Sequence, residues 1–374
     1  MALVVCPSGH TFSHILSSTS SQAIGKGPHM KTVSVHKAED MVLGHDITQI
    51  IPGKLKGPAF RRGHVIKKDD IPRLLDMGKE TLYVFDLAEG DLHEDEAARR
   101  IALAVAGRNL SLSEPKEGKI ELSAAADGLL KVNTRALYEL NSYPEVMLAT
   151  IHTNQRVKAG KVVAGTRIIP LVIAENTIRD LEKTCRKFPS VLEILPLKSL
   201  KVGIVTTGSE VYSGRIKDGF GPVIREKVRE SGSEIIDQIF VSDSIDMIYK
   251  SIHELIHKGA DLIAVTGGMS VDPDDVTPEG IKKTGAEIIT YGAPVLPGAM
   301  FLLAYLGTIP IVGLPGCVMY HKISIFDLIY PLIQAGEFLD RKDIIKLAHG
   351  GLCSNCAECR YPNCGFGKGM DNIF

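Results

Sequence analysis

Two short stretches of the sequence concentrate side chains that could do chemistry. The first, VTGGMSVDPDDVTPEGI over residues 265–281, places a double glycine before Asp272, Asp274 and Asp275. Carboxylates this close together repel one another unless water or a cation screens them. The second, CSNCAECRYPNC over residues 353–364, holds four cysteines with C-x2-C-x2-C-x4-C spacing. The aspartate loop is therefore a candidate for holding a cation, for handling a phosphate or for simple solvation.

A metal site is predicted at the four closely spaced cysteines: Cys353, Cys356, Cys359 and Cys364. Thiolates at this density neutralise their charge on a metal or pair as disulfides, and the cytoplasm disfavours disulfides. The spacing of the first three resembles that of bacterial ferredoxin clusters, whereas zinc usually takes its ligands from two separated pairs. The sequence leaves three alternatives for these cysteines, which are an iron–sulfur cluster, a zinc ion and unliganded thiols. Arg360 and Lys368 flank the cysteines and are expected to offset a cluster's negative charge.

Length and charge limit the classes of protein to consider. A chain of 374 residues is long enough for two or three domains with their own cores. Its 43 basic and 44 acidic residues nearly cancel, which argues against binding to nucleic acid or a membrane surface through bulk charge. The longest apolar stretch, residues 299–314, is interrupted by Gly307 and Pro310 and is too short to span a bilayer. It predicts two buried strands, or a strand and a short helix.

Residues 1–29 differ from the rest of the chain. They are rich in serine, glycine and histidine and lack the features of a secretory signal. We expect a disordered extension there and a cytoplasmic protein. The remaining chain divides into a predicted N-terminal accessory α+β region over 30–198, an α/β domain over 199–335, and a helix with the cysteine-rich tail over 336–374. Helices are predicted in the accessory region at about 69–77 and 92–107.

Strands and helices alternate from Lys201 onwards. The runs KVGIVTTG, SEIIDQIFV and ADLIAVTGG predict strands, and residues 286–290 and 309–313 predict two more. Helices are predicted between them and over about 317–334, and Thr277 is predicted as the N-cap of the helix that begins TPEG. This order predicts a mostly parallel sheet with helices on both faces, which is a three-layer α/β/α domain.

Three glycine-bearing loops follow the predicted strands: TTGSE (206–210), TGGMS (266–270) and GLPGC (313–317). Ligands of such sheets bind at the carboxyl ends of the strands, where glycines allow backbone amides to approach them closely. A helix that starts next favours an anion at its N-terminus. The three loops together predict a ligand that carries phosphate.

In this order and context, TTGSE, TGGMSVDPDDVTPEGI and GLPG resemble the molybdopterin-binding domain of molybdenum cofactor biosynthesis proteins. The resemblance covers roughly residues 199–335. That family includes molybdopterin adenylyltransferases and molybdopterin molybdotransferases. It implies a ligand that is a pterin with a dithiolene and a phosphate, often adenylylated and often accompanied by Mg²⁺. HEDEAA (93–98) similarly resembles an accessory domain of the molybdotransferases, although their serine-methionine-aspartate-glycine motif is not found in this chain.

The resemblance also implies site residues. Asp275 lies where the family carries an acidic residue needed for its chemistry, Glu210 matches a second acidic position, and Asp243 is a candidate for a third. A divalent cation normally bridges such carboxylates to a phosphate. Asp272 and Asp274 are interpreted instead as exposed turn formers. The residues expected to contact the ligand are Thr207, Gly208, Ser209, Asp218, Gly267, Gly268, Ser270, Pro315 and Gly316.

The sequence departs from the family at three places. KDGFG (217–221) keeps only Asp218 of an Asp-Ser-Asn-like stretch, Ala299 replaces a lysine, and GLPG is followed by Cys317 and Val318. The predicted function is binding of molybdopterin or its adenylate, with molybdate insertion by a molybdotransferase-like reaction. A non-catalytic carrier or regulator and a Mg-ATP-dependent molybdopterin adenylyltransferase are the alternatives. The expected partners are molybdopterin, molybdate, ATP or AMP, a client molybdoenzyme and a second copy of the chain; nucleic acid and membranes are not expected.

Overall fold

The computed structural model describes residues 30–51, 55–85, 89–116, 118–270, 272 and 275–369. The extension predicted over 1–29 lies outside these residues, as does Asp274. The chain forms two compact units that divide between Glu89 and Gly90. This boundary falls inside the range 30–198 that the sequence analysis treats as one accessory region. Among the helices of the described residues, none is long and apolar enough to cross a membrane.

The first unit is a small, mainly antiparallel β structure. Strands β1, β5 and β2 form one sheet in that order, and β3 pairs with β4. Its helix α1 begins at Asp70, close to the predicted start. Ile47, Phe60 and Leu74 pack in its core. The bounds are β1 Met30–Ser34, a 3₁₀ helix Val35–Lys37, β2 Val42–Leu43, β3 Ile47–Ile51, β4 Leu55–Phe60, α1 Asp70–Asp76 and β5 Thr81–Phe85.

The second unit begins with an α+β lobe that ends near Leu195. One antiparallel sheet has the order β10-β12-β8-β7, another has the order β11-β9-β14, and β13 pairs with β6. Helix α2 contributes Ile101 and Val105 to the core of this lobe. The bounds are β6 Asp91–His93, α2 Glu94–Val105, β7 Leu110–Leu112, β8 Ile120–Ala124, β9 Gly128–Val132, α3 Thr134–Asn141, β10 Val146–Thr150, β11 Gln155–Val157, β12 Val162–Ile168, β13 Val172–Ala174, α4 Glu175–Cys185 and β14 Leu192–Leu195.

A six-stranded sheet with helices on both faces follows, so the predicted three-layer α/β/α architecture is confirmed. Its order is β16-β15-β17-β20-β19-β18, and β19 runs antiparallel to both its neighbours while the other pairs are parallel. The bounds are β15 Lys201–Thr207, α5 Ser209–Tyr212, α6 Phe220–Glu230, β16 Glu234–Val241, α7 Ile245–His257, β17 Leu262–Thr266, α8 Thr277–Lys283, β18 Glu287–Tyr291, β19 Leu302–Leu306, β20 Ile309–Leu314, α9 Cys317–Tyr320, α10 Ile325–Gln334 and α11 Arg341–Lys346.

Side chains alternate between the two faces of this sheet, as the period of a strand requires. Ile204 of β15 packs on the side of α6 and α10, whereas Val205 packs on the side of α7 and α8. The stretch 299–314 forms two buried antiparallel strands, the first of the two predicted alternatives. The single helix predicted over 317–334 is wrong, because the backbone is extended at His321 and a capping box of Ser324 and Asp327 begins a new helix.

Candidate functional site

The loops after β15 and β17 are in direct backbone contact. Gly267 has a φ of +86°, and a Cβ atom there would lie 2.3 Å from the carbonyl oxygen of Thr207. Gly268 has a φ of +56°, and a Cβ atom there would lie 2.5 Å from Oγ1 of Thr277. Only glycine satisfies both the positive φ and the close approach. The double glycine therefore allows two neighbouring strand ends to meet.

Threonine hydroxyls hold the same junction together. Oγ1 of Thr207 donates to the carbonyl of Thr266 at 3.1 Å and lies 3.2 Å from Oγ1 of Thr277. The Thr277 hydroxyl donates in turn to the carbonyl of Gly267 at 3.0 Å. The prediction that Thr277 is an N-cap is wrong by one residue, since Val276 is the N-cap and Thr277 is the first residue of α8. Its hydroxyl fixes the glycine turn and does not cap the helix.

The carboxylate of Asp275 is held by its own loop. The backbone N–H of Ser270 donates to Oδ2 of Asp275 at 2.7 Å. Tyr291, at the end of β18, donates from its hydroxyl to the carbonyls of Ser270 at 3.1 Å and Met269 at 3.3 Å. Burial raises the pKa of the Tyr291 phenol, and the negative charges of Asp275 and Glu279 raise this pKa further. Sequence reasoning missed Tyr291, because nothing in the sequence connects it to a loop about twenty residues away.

Glu210 reaches the same region from the loop after β15. Gly208 has a φ of +137° and leads into the short helix α5, on which Glu210 is exposed. Oδ2 of Asp243, in the loop after β16, accepts hydrogen bonds from the backbone N–H and the hydroxyl of Ser209, both at 2.9 Å. Asp243 thereby fixes the start of α5 beside Glu210.

These loops enclose one cleft of about 710 Å³ at the carboxyl edge of the sheet. Four of the lining side chains are acidic, and none of the lining residues that the structure describes is basic. The cleft therefore combines glycine turns and hydroxyl side chains with a strongly negative rim. The lining residues are Thr207, Gly208, Ser209, Glu210, Val211, Ile216, Asp243, Gly268, Asp272, Asp275 and Val276.

The structure places the other predicted ligand-contacting residues outside this lining. Gly267 and Ser270 support it from behind through the contacts above. Asp218 accepts hydrogen bonds from the N–H of Phe220 at 2.8 Å and from Nε2 of Gln238 at 2.6 Å, so its carboxylate is bound to the first turn of α6 and to β16. Pro315 lines a second, more apolar cleft. Gly316 lies just before α9 and is exposed. It is not among the described residues that line either cleft.

The donor chemistry of the first cleft suits a hard divalent cation. In the described part of the chain, no three acidic, histidine or cysteine side chains are arranged to hold a metal ion on their own. Mg²⁺ usually takes one or two carboxylates and completes its shell with water and substrate phosphates. Glu210, Asp243 and Asp275 provide carboxylate oxygens for that mode of binding, in which the ligand itself brings the remaining donors.

The predicted metal ligands of the tail lie at a different place. Cys353, Cys356, Cys359 and Cys364 all line one pocket of about 350 Å³, and each is a free thiol. The two basic residues that flank the cysteines lie in different surroundings. Arg360 lines the pocket, whereas Nζ of Lys368 lies over the Tyr361 ring, 6.0 Å from its centroid. Burial lowers the pKa of Lys368 to about 8, and the negative charge of the Cys364 thiolate partly opposes this shift.

Two protein-family models match this chain. Residues 32–86 match a family described as a domain of unknown function (DUF8806). Residues 203–335 match a family described as "probable molybdopterin binding domain". The second match coincides with the six-stranded sheet and both loops of the acidic cleft. It confirms the family resemblance that the sequence motifs indicate over roughly 199–335.

Individual relatives match short parts of the chain. A CinA-like protein of Mycobacterium avium is 35% identical over 92 residues, which are 24% of this chain and 21% of the relative. A molybdopterin adenylyltransferase of Pyrococcus furiosus is 30% identical over 95 residues, which are 25% of this chain and 56% of the relative. The chain thus spans about a fifth of the length of the first relative and just over half of the second.

A similar solved structure is the tungsten cofactor synthesizing protein MoaB from Pyrococcus furiosus, at 22% identity and a TM-score of 0.30, covering 37% of this chain and 99% of that one. The matched range 203–335 includes the glycine turn at Gly267 and Gly268 and the carboxylate of Asp275. Residues 203–335 of this chain are therefore similar to the molybdopterin-binding domain of molybdenum cofactor biosynthesis proteins.

Proposed function

We propose that this protein binds molybdopterin, or its adenylate, in the acidic cleft and acts in molybdenum cofactor biosynthesis. One observation carries the proposal: Glu210 and Asp275, distant in sequence, line one cleft with the glycine turns of two adjacent strands. The family description of residues 203–335 supports the identity of the ligand. The cleft volume of about 710 Å³ lies within the range of small-molecule sites.

The cleft offers two kinds of contact to a phosphorylated pterin. Gly208 and Gly268, at the glycine turns after β15 and β17, line the cleft and have no side chain, so phosphate oxygens can approach the backbone closely there. The acidic rim would repel that phosphate, so a divalent cation between the carboxylates and the phosphate is part of the proposal. When bound, the cation neutralises charge and polarises a phosphoryl oxygen. The residues of the chain position it, since the Ser270 amide orients Asp275.

The reaction is a separate question from the binding. The similarity to a molybdopterin adenylyltransferase over 95 residues favours adenylyl transfer as a second candidate. In that reaction a phosphate oxygen of molybdopterin bonds to the α-phosphorus of ATP, and pyrophosphate leaves. Molybdate insertion is the molybdotransferase-like alternative, and Ala299, where relatives carry a lysine, weighs against it. A carrier that only holds the cofactor needs binding alone.

One experiment distinguishes these activities. The full chain is incubated with molybdopterin and MgCl₂, then with ATP, then with molybdate, and bound and free species are identified by mass spectrometry. Retention of molybdopterin that depends on Mg²⁺ is the expected result. Adenylated product with release of pyrophosphate identifies the adenylyltransferase, metallated product identifies the molybdotransferase, and retention without either identifies the carrier. Failure to retain molybdopterin or its adenylate at concentrations well above that of the protein would disprove the proposal.

The proposal includes a cytoplasmic location, assembly with a second copy of the chain, and delivery of the cofactor to a client molybdoenzyme. The thiols support the location, because the cysteines of the described residues are all free and disulfides are rare in the cytoplasm. Sedimentation with and without molybdopterin tests the assembly, and a monomer under both conditions would remove the second copy from the proposal.

A further inference from the structure

The cysteine-rich tail is a closed loop. The backbone N–H of Gly367 donates to the carbonyl of Gly350 at 3.0 Å, which joins the two ends of the segment 350–367. Phe366, next to this junction, is only 4% exposed and belongs to the core that covers one face of the six-stranded sheet. The four cysteines therefore lie on a loop whose ends are held together and anchored in the domain.

The first half of the loop is also hydrogen-bonded to the body of the domain. The N–H of Leu296 donates to the carbonyl of Gly351 at 2.7 Å, and the N–H of Cys353 donates to the carbonyl of Leu296 at 2.8 Å. A Cβ atom at Gly351 would lie 2.3 Å from the carbonyl oxygen of Pro294, so this approach requires glycine. These contacts place Cys353 on a defined backbone and not on a free terminus.

All four cysteines border one pocket. Cys353, Cys356, Cys359 and Cys364 line the pocket of about 350 Å³ introduced above. Cys356 is exposed and the other three are half-buried. Lys322 and Arg360 line the same pocket and place positive charge beside the thiols. The thiolate is the metal-binding form of cysteine, and positive side chains beside the pocket offset the negative charge of a thiolate-bound centre.

The backbone of the loop allows the thiols to converge. Between Cys353 and Cys364 it contains bends and turns but no helix or strand among its described residues. No three of these side chains are arranged around a common metal position in the described structure. Bringing them together therefore requires side-chain and local loop rotations, with no regular element to unfold. Metal binding commonly supplies the free energy for such local ordering.

We propose that the loop 350–367 binds a thiophilic metal centre, either an iron–sulfur cluster or a zinc ion, with the four tail cysteines as its ligands. Both centres use the same thiolate chemistry, and four thiolates satisfy either one. The pocket of the loop shares His321, Cys353 and Asn355 with the second cleft, which Pro315 also lines. The centre thus lies beside the loop that follows β20. This inference does not depend on molybdopterin binding.

The test uses the full chain, prepared without oxygen and stripped of metal by a chelator. One arm titrates Zn²⁺ against a chromophoric chelator, and the other supplies iron and sulfide and measures bound iron, labile sulfide and the visible charge-transfer band. We expect stoichiometric loading in one arm. The double variant Cys356→Ser, Cys359→Ser is expected to weaken or lose that loading by at least about tenfold. The matched control is Cys317→Ser, which removes a thiol outside the pocket and is expected to load like the parent chain.

The possible results distinguish the two kinds of metal centre from the absence of one. Zinc loading alone identifies a zinc centre, and iron with matching sulfide identifies a cluster. Loading in neither arm, or equal loading by the double variant, would overturn the proposal. Circular dichroism of each variant checks its folding, and because Cys356 is exposed, the single variant Cys356→Ser provides the same comparison if the double variant does not fold. Molybdopterin retention by the same samples shows separately whether the proposed function holds.

Discussion

The backbone N–H of Ser270 and the carboxylate of Asp275 are joined by a hydrogen bond of 2.7 Å. A second bond of 3.0 Å runs from the N–H of Asp275 to the carbonyl of Asp272. The loop therefore orients the carboxylate through its own backbone. Asp275 has two separable properties. Its carboxylate oxygen accepts the hydrogen bond that orders the loop, and its negative charge is available to a ligand in the cleft.

Replacing Asp275 with Asn separates these two properties. The amide oxygen of Asn can still accept from Ser270, so we expect the fold and melting temperature to change little. The lost negative charge weakens the hold on a divalent cation, and we expect Mg²⁺-dependent retention of molybdopterin to fall by about 100-fold. Retention measured across a Mg²⁺ titration checks this expectation.

Asp272→Asn is the matched comparison, because Asp272 is an exposed aspartate of the same loop and also lines the cleft. Its backbone carbonyl, which binds Asp275, is unaffected by the substitution. We expect its Mg²⁺-dependent retention of molybdopterin to fall less than that of Asp275→Asn, because the Ser270 amide holds the carboxylate of Asp275 in place. Equal losses in both variants would indicate a general effect of loop charge and would remove the specific role of Asp275.

Replacing Gly267 with Ala tests the contact between the two strand-end loops. The added Cβ atom must occupy a φ of +86° and would meet the Thr207 carbonyl oxygen at 2.3 Å. Gly285→Ala has nearly the same φ, +85°, but meets no atom within 4 Å. We expect the control to cost about 1 kcal/mol from backbone strain alone and Gly267→Ala to cost several times more. Urea denaturation of both variants measures the difference, and equal losses would disprove the close contact.

The fold of residues 201–335 follows closely from the sequence, because continuous apolar strands and amphipathic helices alternate there with clear glycine stops. The arrangement of the site is harder to predict from the sequence. The motif loops after β15 and β17 meet because parallel neighbouring strands end at one edge. Pro315 follows β20, which ends at the same edge, but lines another cleft, a distinction that depends on loop packing.

Other features left no local signal in the sequence. Asp218 resembles a ligand contact in its motif, yet its carboxylate accepts hydrogen bonds from the first turn of α6 and from Gln238, a residue of strand β16. The chain divides into its two units between Glu89 and Gly90, and no glycine- or proline-rich linker marks this boundary in the sequence. The bond from Gln238 and the boundary between the units depend on tertiary contacts, whereas the bond from the Phe220 amide is local.

Tyr291 is predicted to position the loop of Asp275 without contacting the ligand. Tyr291→Phe removes the hydroxyl that binds the Met269 and Ser270 carbonyls and keeps the ring. We expect a loss of about 1 kcal/mol in the free energy of unfolding and weaker molybdopterin retention by about fivefold. Tyr138→Phe, at an exposed position of the α+β lobe, is the control. Retention unchanged by Tyr291→Phe would show that the loop does not need this support.

Arg100 is predicted to make the stability of the α+β lobe pH-dependent. Arg100 donates hydrogen bonds to Glu182 at 2.8 and 2.9 Å and to Glu175 at 2.8 Å. These hydrogen bonds are the main reason why the pKa of each of the two carboxyl groups is lowered. In the unfolded chain the pKa of a glutamate is about 4.3. The stabilisation is therefore present above that pH and is lost as the pH falls through the lower folded pKa.

The corresponding variant is Arg100→Met. Its deficit in free energy of unfolding, relative to the parent chain, should be largest near neutral pH and should shrink below about pH 4.3. Urea denaturation of both proteins over a series of pH values measures this difference. A deficit that stays constant with pH would assign the contribution of Arg100 to packing of its side-chain stem and not to its ion pairs.

Lys227 is predicted to be the most important lysine for the attachment of α6 to α10. Its Nζ donates to Oδ1 of Asp327 and to the carbonyl of Lys322, both at 2.6 Å, and its side chain is only 12% exposed. Lys227→Met leaves Asp327, which is 14% exposed, without its cationic partner. Removing one partner of a buried pair typically costs about 3 kcal/mol, so we expect a clearly lower urea midpoint.

Lys258→Met provides the comparison, because Lys258 also pairs with two acidic side chains, Asp237 at 2.7 Å and Glu254 at 2.5 Å, but its side chain is 43% exposed. Solvent screens an exposed pair, so its removal is expected to change the midpoint much less than Lys227→Met does. Similar midpoints for the two variants would mean that water reaches the Lys227 pair, and the attachment of α6 to α10 would then depend on apolar packing through Ile224 and Val228.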